Sequence, residues 1–223
     1  MKWLVFMVVL VAAALFLCPP KQNEGATAGG TVPSPVQKIF VPIVFKPANT
    51  PTPTPPPVIA TVPVGKAPFG VGLNPTSNCV HVSNAGYNSV SVIDGTNNTV
   101  VATVPVGSYP RGVGVNPTTN RVYVANYYSN TVSVIDGATN AIVATVPVGS
   151  FPYGLGTNPT PNHVYVANSS DSPVSLIDGR SNTVISTMPA GGGPYGVGVN
   201  PTTNRVYVSN SLDNTVTVIA DGP

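Results

Sequence analysis

Charge is scarce in this chain. Asp, Glu, Lys and Arg together make up 7% of its 223 residues, against roughly a quarter in ordinary soluble domains. Solubility has to come from Asn, Thr, Ser and Gly instead, a surface common among exported β proteins. The formal charge of +2 is unevenly placed. From residue 58 onward, Lys66, Arg111, Arg121, Arg180 and Arg205 face Asp94, Asp136, Asp171, Asp178, Asp213 and Asp221, five cations against six anions and a net of −1. The basic surplus sits at Lys2, Lys21, Lys38 and Lys46. With no basic stripe, nucleic acid is not an expected partner. Cysteine is nearly absent as well. Of the two cysteines, Cys18 and Cys79, only Cys79 lies beyond residue 58, so no disulfide can form inside that region. Helical spacing of apolar residues is missing from every window, which excludes a helical architecture.

What the chain has is a period. Ile59-Ala60-Thr61, Val101-Ala102-Thr103, Val143-Ala144-Thr145 and Ile185-Ser186-Thr187 stand 42 residues apart, and so do the Asn-Pro pairs beginning at Asn74, Asn116, Asn158 and Asn200. A fixed period of this length marks a repeat protein, each copy being one supersecondary unit stacked on its neighbours. Within the copy running from Lys66 to Gly107, four strand-like runs are bounded by turn residues: 69–74, 79–83, 90–94 and 99–106. The third alternates cleanly, as in Val90-Ser91-Val92 and Val132-Ser133-Val134, the signature of a half-buried strand. Short turns make the four runs an antiparallel meander, which is a propeller blade. The expected fold is all-β: a β-propeller of four 42-residue, four-stranded antiparallel blades.

Proline and glycine order the strands within a blade. Pro63, Pro105, Pro147 and Pro189 fall in the fourth run. Proline donates nothing to a ladder, so that strand belongs at the outer edge. Gly70 and Gly72, repeated as Gly112/Gly114, Gly154/Gly156 and Gly196/Gly198, suit the innermost strand, where blades crowd around the axis. A lone outer strand at 58–64 precedes the first blade, and the last copy stops at its third strand. The inventory reaches sixteen strands, four full blades if the first strand closes the last. A closed ring and an open arc completed by a partner chain both fit this count.

The chain divides into three parts. Residues 1–28 read as an export signal or N-terminal anchor: Lys2 supplies the positive start, and 3–17 form an uncharged apolar run stopped by Pro19-Pro20. Residues 29–57 are a Pro/Thr-rich linker whose run P-A-N-T-P-T-P-T-P-P-P favours extended polyproline II. Residues 58–223 are the repeats. Any membrane contact is expected only through the N-terminal segment.

The second strands read H-V-S-N (81–84), Y-V-A-N (123–126), Y-V-A-N (165–168) and Y-V-S-N (207–210). With P-Y-G-V-G-V-N-P (194–201), N-T-V-S-V-I-D (130–136) and I-V-A-T-V-P-V-G (142–149), they resemble the YVTN family of β-propeller repeats over essentially all of 58–223. The family's threonine is alanine or serine here. The resemblance implies a propeller in an extracellular or cell-envelope setting, as in surface-layer proteins; similar repeats also occur in propeller enzymes. Such propellers usually carry about seven blades, and this chain has four copies.

No catalytic constellation is visible. Asp94, Asp136 and Asp178 recur at one position, each followed by glycine, where a turn cap is expected. His81 and His163 are not equivalent in the repeat and have no cysteine or carboxylate at ligand spacing, so neither a metal nor a cofactor is expected. The copies differ most in the loops joining strands two to three and four to one, which share one face of an up-and-down blade. Phe69, Tyr87, Tyr109, Arg111, Tyr127, Tyr128, Phe151, Tyr153 and Tyr195 all fall there, with Asp171 and Asp213 beside them. Aromatic residues and arginine are favoured at recognition surfaces. The expected function is therefore a non-enzymatic binding or structural module for a protein, a glycan or copies of itself at the cell envelope. A homo-oligomer is one of these readings. A propeller enzyme of lactonase or lyase type acting at the channel mouth is the alternative.

Overall fold

The computed structural model describes residues 56–170 and 173–222. The chain divides into two compact units, Met1–Thr54 and Pro55–Pro223, and every described residue belongs to the second. The export signal, nearly all of the linker and Asp171 lie outside the described residues. Among the described residues, no helix is long and apolar enough to cross a membrane.

The strands follow the period. The first blade is β1 (Pro68–Asn74), β2 (Cys79–Asn84), β3 (Ser89–Asp94) and β4 (Thr99–Pro105), and the second is β5 (Pro110–Asn116), β6 (Arg121–Asn126), β7 (Thr131–Asp136) and β8 (Ile142–Pro147). The third is β9 (Pro152–Asn158), β10 (His163–Asn168), β11 (Pro173–Asp178) and β12 (Thr183–Pro189). The fourth holds β13 (Pro194–Asn200), β14 (Arg205–Asn210) and β15 (Thr215–Ala220). Each blade is an antiparallel meander in chain order. The outer strands β4, β8 and β12 end on Pro105, Pro147 and Pro189, at the edge where a missing N–H breaks no ladder.

Because side chains alternate, the register sorts each blade into two faces. In the first blade Gly72, His81, Val92 and Ala102 share one face, here called trailing, while Val71, Val82, Ser91 and Thr103 share the other, the leading face. The core consists of trailing faces packed on leading faces. Val90, Val92 and Val104 of the first blade meet Val122, Val124 and Ile135 of the second. Tyr123, Val132 and Val134 meet Leu155, Val164, Val166 and Ile177 of the third. Tyr165, Ala167 and Val174 meet Val206 and Val208 of the fourth. The inner-strand glycines make this approach possible. A Cβ on Gly112 would sit 2.6 Å from the Tyr153 carbonyl oxygen, and one on Gly72 would sit 2.7 Å from Val113 Cγ1.

The expected closure of the fourth blade by residues 58–64 does not occur within the chain. Those residues form no strand, Val58 and Ile59 are each 86% exposed, and the fourth sheet ends at β15. The segment is instead anchored by its downstream end to the first blade: Ala85 N–H donates to Ala67 O and Gly86 N–H to Lys66 O, both at 3.0 Å. This holds it on the leading side of the first blade, and the described blades form an arc with two uncovered end faces.

His81 stands where the other copies have Tyr123, Tyr165 and Tyr207. It is fully buried, and neither ring nitrogen has a partner. Desolvation holds its pKa below the ordinary 6.5. The unfolded chain therefore takes up a proton near the ordinary value while the folded chain resists, so stability falls as pH drops through that value. His81→Tyr is expected to flatten the dependence of melting temperature on pH between about 7.5 and 5.5. An unchanged slope would remove His81 as its source.

Candidate recognition face

The variable loops are held together by a repeated backbone contact. Tyr127 N–H donates to Tyr109 O at 3.1 Å, Ser169 N–H to Phe151 O at 3.1 Å, and Ser211 N–H to Gly193 O at 2.9 Å. Each ties a two-to-three loop to the four-to-one loop entering the same blade. The contact requires left-handed backbone at the accepting residue: φ is 52° at Ala67, 56° at Tyr109, 55° at Phe151 and 63° at Gly193. Asn88 Oδ1 and Asn130 Oδ1 accept from the N–H groups of Tyr109 and Phe151, each at 2.9 Å, and pin that geometry in place.

Eight of the nine expected face residues form one contiguous cluster. Tyr127 is its hub, with ring centroids 5.0 Å from Tyr128, 5.0 Å from Phe151, 6.0 Å from Tyr153 and 6.2 Å from Tyr109. Tyr109 lies 4.9 Å from Tyr128, Phe69 lies 5.4 Å from Tyr153, and Tyr153 stacks 3.6 Å from Tyr195. Most of these pairs are tilted or edge-on, the arrangements ring quadrupoles favour. Rings from all four blades take part. Phe69, Tyr128, Phe151 and Tyr195 present their rings to solvent, with Tyr128 59% exposed and Tyr195 43% exposed. Tyr87 is the exception. It is 67% exposed and makes none of these ring contacts; it borders a separate cavity of about 300 Å³ with Pro63, Val64 and Ser91.

Arg111 fills the middle of the cluster. Its guanidinium carbon lies 4.2 Å from the Phe69 centroid, 4.5 Å from Tyr109, 5.0 Å from Tyr153 and 5.4 Å from Tyr127. One terminal nitrogen reaches Tyr153 Oη at 3.4 Å, and Nε has no hydrogen-bond partner. The cation is thus held by ring faces, and among the described residues no carboxylate pairs with it. Desolvation, with a hydrogen bond to Tyr195, pushes the Tyr153 phenol up to about 12. It therefore stays a neutral O–H donor at physiological pH. Of the flanking acids, Asp213 accepts a hydrogen bond from Gly192 N–H.

The opposite face is built for structure. Asp94, Asp136 and Asp178 accept from the N–H groups of Thr96 (2.7 Å), Ala138 (2.9 Å) and Arg180 (3.0 Å), the turn caps expected. The Thr139 N–H bond, together with the Arg121 ion pair, pulls Asp136 down to about 2. Asparagines link blade to blade: Asn74 Nδ2 donates to Asn120 Oδ1 at 2.5 Å, Asn116 to Asn162 at 2.7 Å and Asn158 to Asn204 at 3.2 Å. His163 Nδ1 lies 2.7 Å from Asp221 Oδ1. Sequence spacing missed that partner, because it arrives from the next blade, 58 residues along the chain. No group of three or more His, Cys, Asp or Glu residues that could hold a metal occurs among the described residues.

Comparison with known proteins places the fold only. No family model matches the chain, and no curated protein sequence matches it. Among solved structures, hydrazine synthase of Kuenenia stuttgartiensis superposes with a TM-score of 0.61 at 22% identity, over 72% of this chain and 51% of that one. A functionally unknown protein from Desulfotomaculum acetoxidans DSM 771 superposes with a TM-score of 0.58 at 16% identity, over 68% of this chain and 55% of that one. The chain thus spans about half the length of the solved structures it matches. Strand order, blade packing and these neighbours together define the protein as a propeller-like repeat of four-stranded antiparallel sheets.

Arg111→Ala should lower stability by about 2 kcal/mol, the scale of a desolvated cation over aromatic rings. At this chain length that corresponds to a melting-temperature fall of roughly 4–8 °C. Arg111→Lys should recover less than half of it, since an ammonium does not stack flat against a ring. An unchanged melting temperature in Arg111→Ala would mean the rings hold themselves together without the cation.

Proposed function

We propose that this chain is an exported, non-enzymatic recognition module of the YVTN-like kind, and that its variable face takes a glycan. The observation that carries the reading is the contiguous, solvent-facing ring cluster drawn from all four blades. Flat rings edged by phenol groups match the alternation of C–H faces and hydroxyls on a sugar, and Tyr and Arg give large contact areas with polar handles. The one cation of the cluster is already occupied by rings, which favours a neutral ligand over an anionic one.

Backbone geometry supports the same reading. Tyr109 and Phe151 hold bulky side chains in left-handed conformation at the position where the fourth blade has Gly193. That conformation costs an L-residue about 1–2 kcal/mol; the repeated loop contact imposes it in every blade, and it holds the Tyr109 and Phe151 rings in fixed positions on this face. Export rests on the N-terminal pattern: Lys2, the apolar run 3–17 and the Pro/Thr spacer.

Two measurements test the proposal. Fractionation of the native host should find the repeats outside the cytoplasm; cytoplasmic protein with an intact N-terminus would refute export. In a pull-down on host envelope polysaccharide, Tyr128→Ala and Tyr195→Ala should each weaken binding at least tenfold, the effect of losing an aromatic anchor. Thr119→Ala and Thr203→Ala on the opposite face should leave it unchanged. Retention by deglycosylated envelope protein, with none by the polysaccharide, would replace the glycan with a protein ligand.

A further inference from the structure

The contact that builds the core is made three times within the chain, and its two halves are left over at the ends. Val132 and Val134, on the trailing face of the second blade, are 0% exposed; their equivalents on the fourth, Val216 and Val218, are 58% and 50% exposed. Tyr123 is 0% exposed, whereas Tyr207 is 41% exposed. At the other end, Leu155 on the leading face of the third blade is 8% exposed, while its equivalent Val71 is 61% and the neighbouring Leu73 is 68% exposed. The glycines tell the same story. A Cβ on Gly156 would lie 2.9 Å from Val199 Cγ2, yet one on Gly198 would meet nothing within 4 Å. The fourth blade keeps the shape of a docked face with nothing in this chain docked on it.

Polar groups are left over in matching pairs. Ser83 Oγ donates to Arg111 O at 2.6 Å across the first interface. Among the described residues its equivalent Ser209 makes no such cross-blade bond and accepts from Gly196 N–H at 3.0 Å. The asparagine link of the inner blades leaves Asn200 without a next-blade acceptor, its Oδ1 capping Thr202 N–H at 3.1 Å. It also leaves Asn78 Oδ1 without a previous-blade donor.

The segment before β1 completes the pattern. Residues 65–67 sit on the first blade as 107–109 sit on the second. Gly65 approaches Asn84 as Gly107 approaches Asn126, and the bonds from Ala85 and Gly86 N–H correspond to those from Tyr127 and Tyr128 N–H. In the second blade the chain arrives there from β4, the outer strand of the preceding blade. Residues 58–63 are therefore delivered to the place an outer strand of a preceding blade would occupy, and β15 is a third strand whose sheet has no fourth among the described residues.

We propose that two copies of this chain dock head to tail, the trailing face of β13–β15 of one on the leading face of β1–β4 of the other. Residues 58–63 of each copy add to β15 of its partner as the fourth strand. The pairing is made twice about a two-fold axis and closes a ring of eight four-stranded blades, two copies of four. Heterologous contacts that close in this way give a finite assembly, and each exchanged strand caps an edge that otherwise recruits other chains. This inference does not depend on the glycan reading, and either can fail alone.

Ladder register sets the test. Ser91 pairs with Thr103, Ser133 with Thr145 and Ser175 with Thr187; the next pair in the series is Thr217 with Thr61, at a separation a disulfide spans. Two full-length versions, each with Cys18→Ser and Cys79→Ser, carry Thr61→Cys in one and Thr217→Cys in the other. Mixed under mild oxidation they should form a disulfide-linked pair. Light scattering of the unmodified chain should give twice its own mass. Gly198→Leu, which places its side chain in open space in the single chain, should keep the circular dichroism spectrum and melt cooperatively, yet halve the mass and abolish the cross-link. The proposal is overturned by a monomeric mass, by a doubled mass without the mixed disulfide, or by a Gly198→Leu chain that still pairs.

Discussion

Two blades can pack only where one offers glycine and the other a branched aliphatic side chain. That constraint shapes nearly everything else in the structure. The inner strands carry glycine at alternate positions because the next blade's carbonyl groups and valines come within van der Waals reach of their Cα atoms: a Cβ on Gly112 would crowd the Tyr153 carbonyl, and one on Gly156 would crowd Val199. Valine on the opposing face fills the space, since β-branched side chains pack well on a pleated surface and lose little freedom there. Stability in such an array is a sum over neighbouring interfaces. It needs neither a disulfide nor charge, which explains how the chain folds with so little of either. The end faces are then the natural place for the remaining exposed apolar surface, and Val71, Leu73, Val216 and Val218 are found there.

Fixing the blades in this way divides the two sets of turns. One set is repeated with little change because it carries the packing: asparagine amides step from blade to blade, and aspartates cap the turns. The other set is free to differ, and it has accumulated rings. Those rings are organised by a cation that belongs to the protein. Arg111 is wrapped by Phe69, Tyr109, Tyr127 and Tyr153, so the cluster is preorganised, and a ligand meeting its outer rings finds them already ordered.

Much of this was legible from the residues. The period gave the blade, the glycines its inner strand, the prolines its outer strand, and the difference between copies the aromatic face. Each is a local signal repeated in register. What escaped the sequence was contact between blades. Nothing in the spacing of Arg111 says that its guanidinium would sit among rings from three different copies. No carboxylate stands at ligand spacing from His163 in the sequence, because Asp221 is remote along the chain and adjacent only after the third and fourth blades stack. Tyr87 shares a loop class with the cluster rings but stands where the second blade has Ser129, beyond the positions of Tyr127 and Tyr128, and it stays apart. The segment 58–64 repeats the outer-strand motif, yet a motif does not say which sheet receives it. The anchoring of Lys66 and Ala67 to the first blade settles which side it approaches from.

The central claim is that each blade is stabilised by the face next to it, at the ends of the chain as in its middle. Amide hydrogen exchange read strand by strand, across a range of protein concentrations, tests this most directly. If the account holds, β14 and β15 are protected to the same degree as β10 and β11 when the protein is concentrated, and on dilution protection falls only in the two end blades, β1–β4 and β13–β15. Rapid exchange in β15 at every concentration, beside slow exchange in β11, would contradict it.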